Sequence, residues 1–222
     1  MRCASIAALI VGAAAAPAFA AFVVPDGINY PWTRGVTANS ASAQWDAFAS
    51  VAGPNTPTAS FVGGVLPGGA PAWNVANIGG GGMIFAGTTI YSLGTAMDVH
   101  VTAPNFDLGG GYTTTVLLQV RTQGHEITPG SVNLGGVLPT ETIELSRGPS
   151  VSGFPLFKVE TLYRFELAGN AASYDMQFLT AAGTHVLLDR VSVDTFARVP
   201  APGACALLGL GGVMIGRRRR PR

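Results

Sequence analysis

The chain is poor in the residues that most chemistries need. It has two cysteines among 222 residues, Cys3 and Cys205, and both sit in apolar stretches near its ends. Residues 21–198 therefore hold no internal disulfide, thiolate metal site or thiol nucleophile. Charge is scarce too: charged residues make up 11% of the chain, against roughly 25% in an average globular protein. Residues 21–198 contain seven basic and twelve acidic residues, a net of −5, and Lys158 is the single lysine. A nucleic acid needs a basic stripe to neutralise its phosphates, so nucleic acid is excluded as a partner. No G-x-S-x-G frame surrounds a serine, which removes the usual esterase nucleophile. The run Gly79-Gly80-Gly81-Gly82 lacks the Gly-Lys-Ser/Thr ending of a phosphate loop and reads as a flexible loop. No cofactor is expected. Sustained helical spacing of apolar residues is also missing between residues 21 and 198.

What is present is clearest at the two ends. Arg2 gives a positive start, residues 4–16 form an apolar run, and Pro17 precedes Ala18-Phe19-Ala20. This is the order of a secretory leader, with cleavage between Ala20 and Ala21 and with Ala18 as the other small residue of the A-x-A site. The run is too short to span a membrane. The other end reads Val199-Pro200-Ala201-Pro202-Gly203, then an uncharged stretch over 204–216, then Arg217, Arg218, Arg219 and Arg220. As a helix, residues 199–216 would rise ~27 Å, close to the ~30 Å hydrocarbon thickness of a bilayer. An arginine block directly after an apolar run is a stop-transfer pattern that stays cytoplasmic. Terminal apolar helices are thus expected at both ends, around a domain over 21–198.

The tail resembles the PEP-CTERM protein-sorting signals of Gram-negative bacteria: a proline motif, a Leu/Gly/Ala-rich membrane segment and a terminal arginine cluster. The match covers residues 199–220, and Ala201 stands where the namesake glutamate would be, as in the V-P-A-P-G variants of planctomycete-like bacteria. The resemblance implies passage through the export translocase and signal peptidase, then recognition by an exosortase-type transpeptidase. Delivery would be to the outer surface or extracellular matrix. If the tail is not cut, it is a membrane anchor.

The middle reads as β. Residues 96–102, 113–121, 141–146, 157–167, 173–179 and 185–196 carry strand patterns, separated by Gly, Pro and Asn clusters. The clearest is 157–167, where Phe157, Val159, Thr161, Tyr163, Phe165 and Leu167 share one face and Lys158, Glu160, Arg164 and Glu166 the other. The Ser/Ala-rich residues 37–50 leave room for one short helix. G-G-V-L-P occurs at 63–67 and again at 135–139, which reads as two similar turns. Many short strands with frequent turns predict an antiparallel two-sheet sandwich of jelly-roll type. The segment 188–194 is similar to the closing strand of galactose-binding-like jelly rolls, and Ala43-Gln44-Trp45-Asp46-Ala47-Phe48 is similar to uncharacterised ectodomains that accompany such tails.

No catalytic residue and no metal site is assigned. Asp98 and His100 share a strand face, but a metal would need His185 or Glu126 to join them, and the plainer reading is polar strand positions. His125 carries no ligand spacing either. A glycosidase needs a pair of carboxylates; the twelve acidic residues, Glu126, Glu141, Glu144 and Glu160 among them, could supply one, and chain spacing does not pair them. Glu160 and Glu166 read as exposed strand residues. Asp107 and Asp189 are the acidic positions where a structural calcium could bind, although no ligand loop surrounds them. Trp32, Trp45 and Trp73 are the candidate ligand-binding aromatics, because an exposed indole stacks on a sugar ring; core packing is the competing reading. Together these features predict an exported, non-enzymatic surface or matrix protein that binds polysaccharide. A structural surface-layer component and a secreted glycan-active enzyme are the alternatives.

Overall fold

The computed structural model describes residues 31–149, 157–181 and 185–200, and the regular structure among them is all β. The strands are β1 (Ser40–Trp45), β2 (Ala59–Gly63), β3 (Asn74–Asn77), β4 (Met83–Phe85), β5 (Thr89–Leu93) and β6 (Asp98–Pro104). They continue as β7 (Gly109–Gly124), β8 (Asn133–Leu134), β9 (Glu141–Pro149), β10 (Phe157–Asn170), β11 (Ser173–Leu179) and β12 (His185–Arg198). The pairings are antiparallel and build two sheets. The larger runs β2-β1-β12-β7-β10-β9, with β5 also on β12 and β4 on β5; the smaller runs β3-β6-β11-β8. The expected terminal helices, 1–20 and 199–222, lie outside the described residues apart from Val199 and Pro200.

Alternation fixes which face each strand buries. In β6, Val99, Val101 and Ala103 turn inward while Asp98, His100 and Thr102 stay at the surface. In β11 the inward set is Tyr174, Met176 and Phe178. The larger sheet answers with Val116, Leu118 and Val120 from β7, Tyr163 and Phe165 from β10, and Val191 and Val193 from β12. These side chains form a single core cluster. Burying one such side chain fully contributes ~1.5–3 kcal/mol.

Residues 37–50 are not helical. Ser40–Trp45 is β1, lying between β2 and β12, and all six of its residues are buried. Ser40-Ala41-Ser42-Ala43-Gln44-Trp45 does alternate polar and apolar residues, the period of a strand, but small residues such as alanine favour strands weakly and hid that pattern. Glu160 departs from expectation as well: it is buried, and Gln119 and Arg121 donate hydrogen bonds to it. The two G-G-V-L-P segments differ in conformation. The first leaves β2 as an open loop, whereas the second closes a tight turn that pairs Leu134 with Val137. The glycine run is held in place: Asn77 accepts from the Gly79 N–H at 3.2 Å and donates to the Gly81 carbonyl at 3.1 Å. Gly80, Gly81 and Gly82 all have positive φ, which glycine adopts without strain.

β12 is the organising strand. One of its edges pairs with β7 along nearly its whole length. The other edge serves two partners in turn, β5 through residues 185–188 and β1 through residues 191–196. A register shift between Leu188 and Arg190 falls at the changeover. An extra residue there bends the strand, as β-bulges do. Arg190 then lies 2.5 Å from Asp46, just past the end of β1.

Candidate functional site: an open cleft at the edge of the larger sheet

β9 is the outermost strand of the larger sheet and pairs only with β10 among the described strands. Beyond the core, the inward positions of this edge are Thr142 and Glu144 from β9, opposite Tyr163 and Thr161 from β10. The facing wall comes from the segments on either side of β8. It hangs from the end of β11, where the Thr128 N–H donates to the Leu179 carbonyl at 2.8 Å and Ile127 bridges Thr180. The hydroxyl of Ser131 accepts from the Leu179 N–H at 3.0 Å.

Between these walls lies an open cleft of about 570 Å³, within the ~300–1,000 Å³ typical of ligand sites. Ile127, Pro129, Val132, Leu138 and Pro139 give it an apolar side, and Tyr163 closes its base. Burial pushes the Tyr163 phenol up to about 12, against a smaller opposing effect of the Thr161 hydrogen bond.

The lip is charged. Arg147 Nη1 donates to Glu126 Oε1 at 2.6 Å, and its Nε and Nη2 donate to Glu144 at 2.9 and 2.6 Å. The guanidinium lies 5.6 Å above the Phe157 ring. In a regular strand, residues three apart face opposite ways. Here the ladder slips, so that Glu160 pairs with Ser146 and Thr161 with Glu144, leaving Leu145 as the extra residue. That bulge turns Glu144 and Arg147 to the same face. The Arg147 hydrogen bonds hold the Glu144 carboxyl below the ordinary glutamate range, outweighing the opposing effect of burial. The two carboxylates raise the arginine above its own range, so its charge is permanent. A glycoside hydrolase needs one carboxyl protonated near neutral pH to act as acid. Glu144 is biased the other way, and Glu126 is bound to the same cation.

The three tryptophans do not form one platform. Trp45 is fully buried in the core, where its Nε1–H donates to the Asn55 carbonyl at 2.8 Å and its ring meets the edge of Trp73 at 6.3 Å. It has no free face for a sugar. Trp73 is half-buried against the core, and Trp32 stacks on Phe196 at 5.1 Å. Asp98 and His100 do meet, at 3.3 Å, and Gln177 donates to the same Asp98 oxygen at 2.8 Å. Neither Glu126 nor His185 completes that pair: His185 is hydrogen-bonded to the Tyr91 hydroxyl, and the described residues contain no cluster of three or more His, Cys, Asp or Glu fit for a metal. Glu141 lies 3.6 Å from Arg164, Asp189 lies 3.7 Å from Arg121, and Asp107 occupies a left-handed turn after β6.

Val199 and Pro200 are exposed just beyond β12. Ala201, Pro202, Gly203, the arginine block and Ala18, Ala20 and Ala21 lie outside the described residues. Among the described residues no helix is long and apolar enough to cross a membrane. Compared with protein-family models, curated proteins and solved structures, the chain matches none.

Sequence reasoning had Glu126 and Glu144 as unpaired candidates and missed Arg147, which bridges the two and lies over Phe157, and Tyr163 in the lining beside them. The repeated proline pentapeptide at 135–139, which supplies Leu138 and Pro139, was the one available signal for the cleft wall.

Proposed function

We propose that the protein is an exported, non-enzymatic component of the cell surface or extracellular matrix whose central domain binds polysaccharide in the cleft at the β9 edge. The carrying observation is the cleft itself: an apolar wall with prolines and a tyrosine at the base, and a lip whose two carboxylates share Arg147. Sugar rings offer C–H faces to aromatic and apolar walls and hydroxyls to carboxylates and guanidinium. The salt-bridged carboxylates support binding over hydrolysis.

The domain is read as a jelly-roll sandwich. Support comes from the order β5-β12-β7-β10 in one sheet and β6-β11-β8 in the other, which follows the alternation of strands between two sheets expected of two interlocked Greek keys. Export and sorting rest on the sequence of the ends: a leader cut before Ala21, and a PEP-CTERM-like tail from Val199 taken by an exosortase-type transpeptidase or kept as a membrane anchor. A purely structural surface-layer role is the second reading, favoured by the exposed apolar side chains of Met83, Phe85 and Leu93 on the β4–β5 hairpin.

A glycan array probed with the purified protein tests the binding proposal. Binding to at least one polysaccharide is expected, with loss on Thr142→Trp, which fills the cleft from an exposed position. Absence of binding to any polysaccharide refutes it. Mass spectrometry of the protein from its native host tests the ends: a first residue away from Ala21 refutes the leader assignment.

A further inference from the structure

The charges around the cleft are unevenly matched. Its lining includes two carboxylates, Glu126 and Glu144, and no lysine, arginine or histidine. The cation at the lip, Arg147, is shared by both carboxylates, so the three groups together keep one negative charge in excess. The Glu126 and Glu144 side chains are 52% and 45% exposed, against 35% for Arg147. An incoming ligand therefore meets the acids more than the guanidinium.

The hydrogen-bonding capacity is uneven in the same sense. Two carboxylates offer about eight acceptor positions. Arg147 fills three of them, through Nη1 to Glu126 and through Nε and Nη2 to Glu144. A guanidinium has about five N–H donors, so about two remain. The Phe157 ring, 5.6 Å away, covers one face of that guanidinium. The lip has acceptors to spare and few donors.

We propose that the cleft selects a cationic glycan, a polymer of amino sugars that carry free ammonium groups. This rests on the reading of the cleft as a polysaccharide site and names the sugar chemistry it takes. An alkyl ammonium brings a positive charge, three N–H donors and no acceptor. It meets Glu126 and Glu144 from the solvent side, away from Arg147, while the ring lies against Leu138 and Pro139. A uronic acid or sulfated sugar brings acceptors only, and its charge is repelled by the two carboxylates. An N-acetylated sugar keeps the ring but loses the charge and two of the three donors. An exposed ion pair contributes up to about fivefold in affinity.

Calorimetric titration tests this with three short ligands: hexamers of glucosamine, of N-acetylglucosamine and of galacturonic acid. It is run at about pH 6, above the ordinary range of carboxylates and below that of amines. The glucosamine hexamer is expected to bind about fivefold more tightly than the N-acetylated one, and galacturonic acid most weakly. Glu126→Gln, at an exposed position, should bring the first two within about twofold. Residues 21–198 carry a net charge of −5, so a polycation could also adhere elsewhere, and Thr142→Trp, which fills the cleft, controls for that. A preference that survives either substitution overturns the assignment. Equal or tighter binding of either other hexamer overturns the ammonium selection and leaves the polysaccharide reading standing. No binding of the glucosamine hexamer overturns it as well, and the glycan array then decides the polysaccharide reading separately.

Discussion

Replacing Asn55 by aspartate reverses the hydrogen-bonding sense of one atom in a buried side chain and leaves its shape unchanged. The Asn55 Oδ1 accepts from the N–H groups of Ala49 and Ser50 at 2.8 and 3.0 Å. Its Nδ2 donates to the carbonyls of Ser50 and Val75, both at 2.8 Å. These four bonds clamp the loop after β1 to β3, and the Asn55 carbonyl accepts from Trp45. Aspartate keeps both accepted bonds and loses both donated ones, which removes roughly 2 kcal/mol at ~1 kcal/mol each. It also sets a carboxylate oxygen against two carbonyls in a dry site, so the folded state prefers a protonated carboxyl at position 55 that can still donate once. The folded pKa then lies above the unfolded value of ~3.9. Below pH ~4 both states are neutral and the cost is about one hydrogen bond, ~1 kcal/mol. Above it the unfolded chain releases a proton that the folded one retains, and the cost grows by ~1.4 kcal/mol per pH unit until the folded group ionises. A folded pKa raised by ~2 units gives a loss of roughly 4 kcal/mol at pH 7, a large share of the ~5–15 kcal/mol that holds a domain together. Urea unfolding of the Asn55→Asp protein at pH 3.5, 5 and 7, followed by tryptophan fluorescence through nearby Trp45, measures this. A penalty that is the same at all three pH values, or below ~1 kcal/mol at pH 7, refutes the reasoning.

Three further outcomes follow from the same geometry. Carbon-detected NMR titration should find the Glu144 carboxyl ionising below the ordinary glutamate midpoint. Its stabilising contact is complete above the unfolded pKa and lost as pH falls through the lower folded one; Arg147→Ala should return the midpoint to the ordinary value, and an unchanged midpoint counts against the pairing. Ultraviolet titration should show a tyrosine component ionising near 12, and Tyr163→Phe should remove it. Because the folded state keeps that proton longer, the domain should lose stability as pH rises from ~10 toward 12. Gly124→Ala should destabilise by ~2 kcal/mol or more, since φ is +91° there and a Cβ would stand 2.1 Å from the His185 carbonyl oxygen; thermal unfolding within a degree of the parent would contradict this.

The fold was most legible where one strand face meets the core. β6 alternates cleanly because Asp98, His100 and Thr102 reach the surface, and β10 alternates except at Leu162, an apolar residue on its outward face. β1 alternates too, with Ser40, Ser42 and Gln44 on its outward side and Ala41, Ala43 and Trp45 on its inward side, but its serines and alanines are small and favour strands weakly, so the period was overlooked. β4 was missed because Met83-Ile84-Phe85 is too short and too uniformly apolar to display a period. The cleft was legible only in part. Glu126 and Glu144 were visible as carboxylates, but their convergence depends on a bulge at Leu145 and on a loop hung from the far end of β11, and neither leaves a local signature. Trp45 shows the converse limit, since an indole in a strand pattern gives no sign of which face it will occupy.

β12 is the last strand among the described residues and sits in the middle of the larger sheet, where it joins β1, β5 and β7. Ser40 pairs with Phe196, so the sheet closes across a sequence separation of 156 residues. Until residue 198 has been delivered, three strands lack the neighbour that satisfies their backbone groups. Folding is thus held back to the end of chain delivery, with a high contact order and correspondingly slow kinetics. A chain threaded N-terminus first through a narrow channel would stay loose enough to pass, and one truncated by its final fourteen-residue strand would lose far more than that strand's share of contacts.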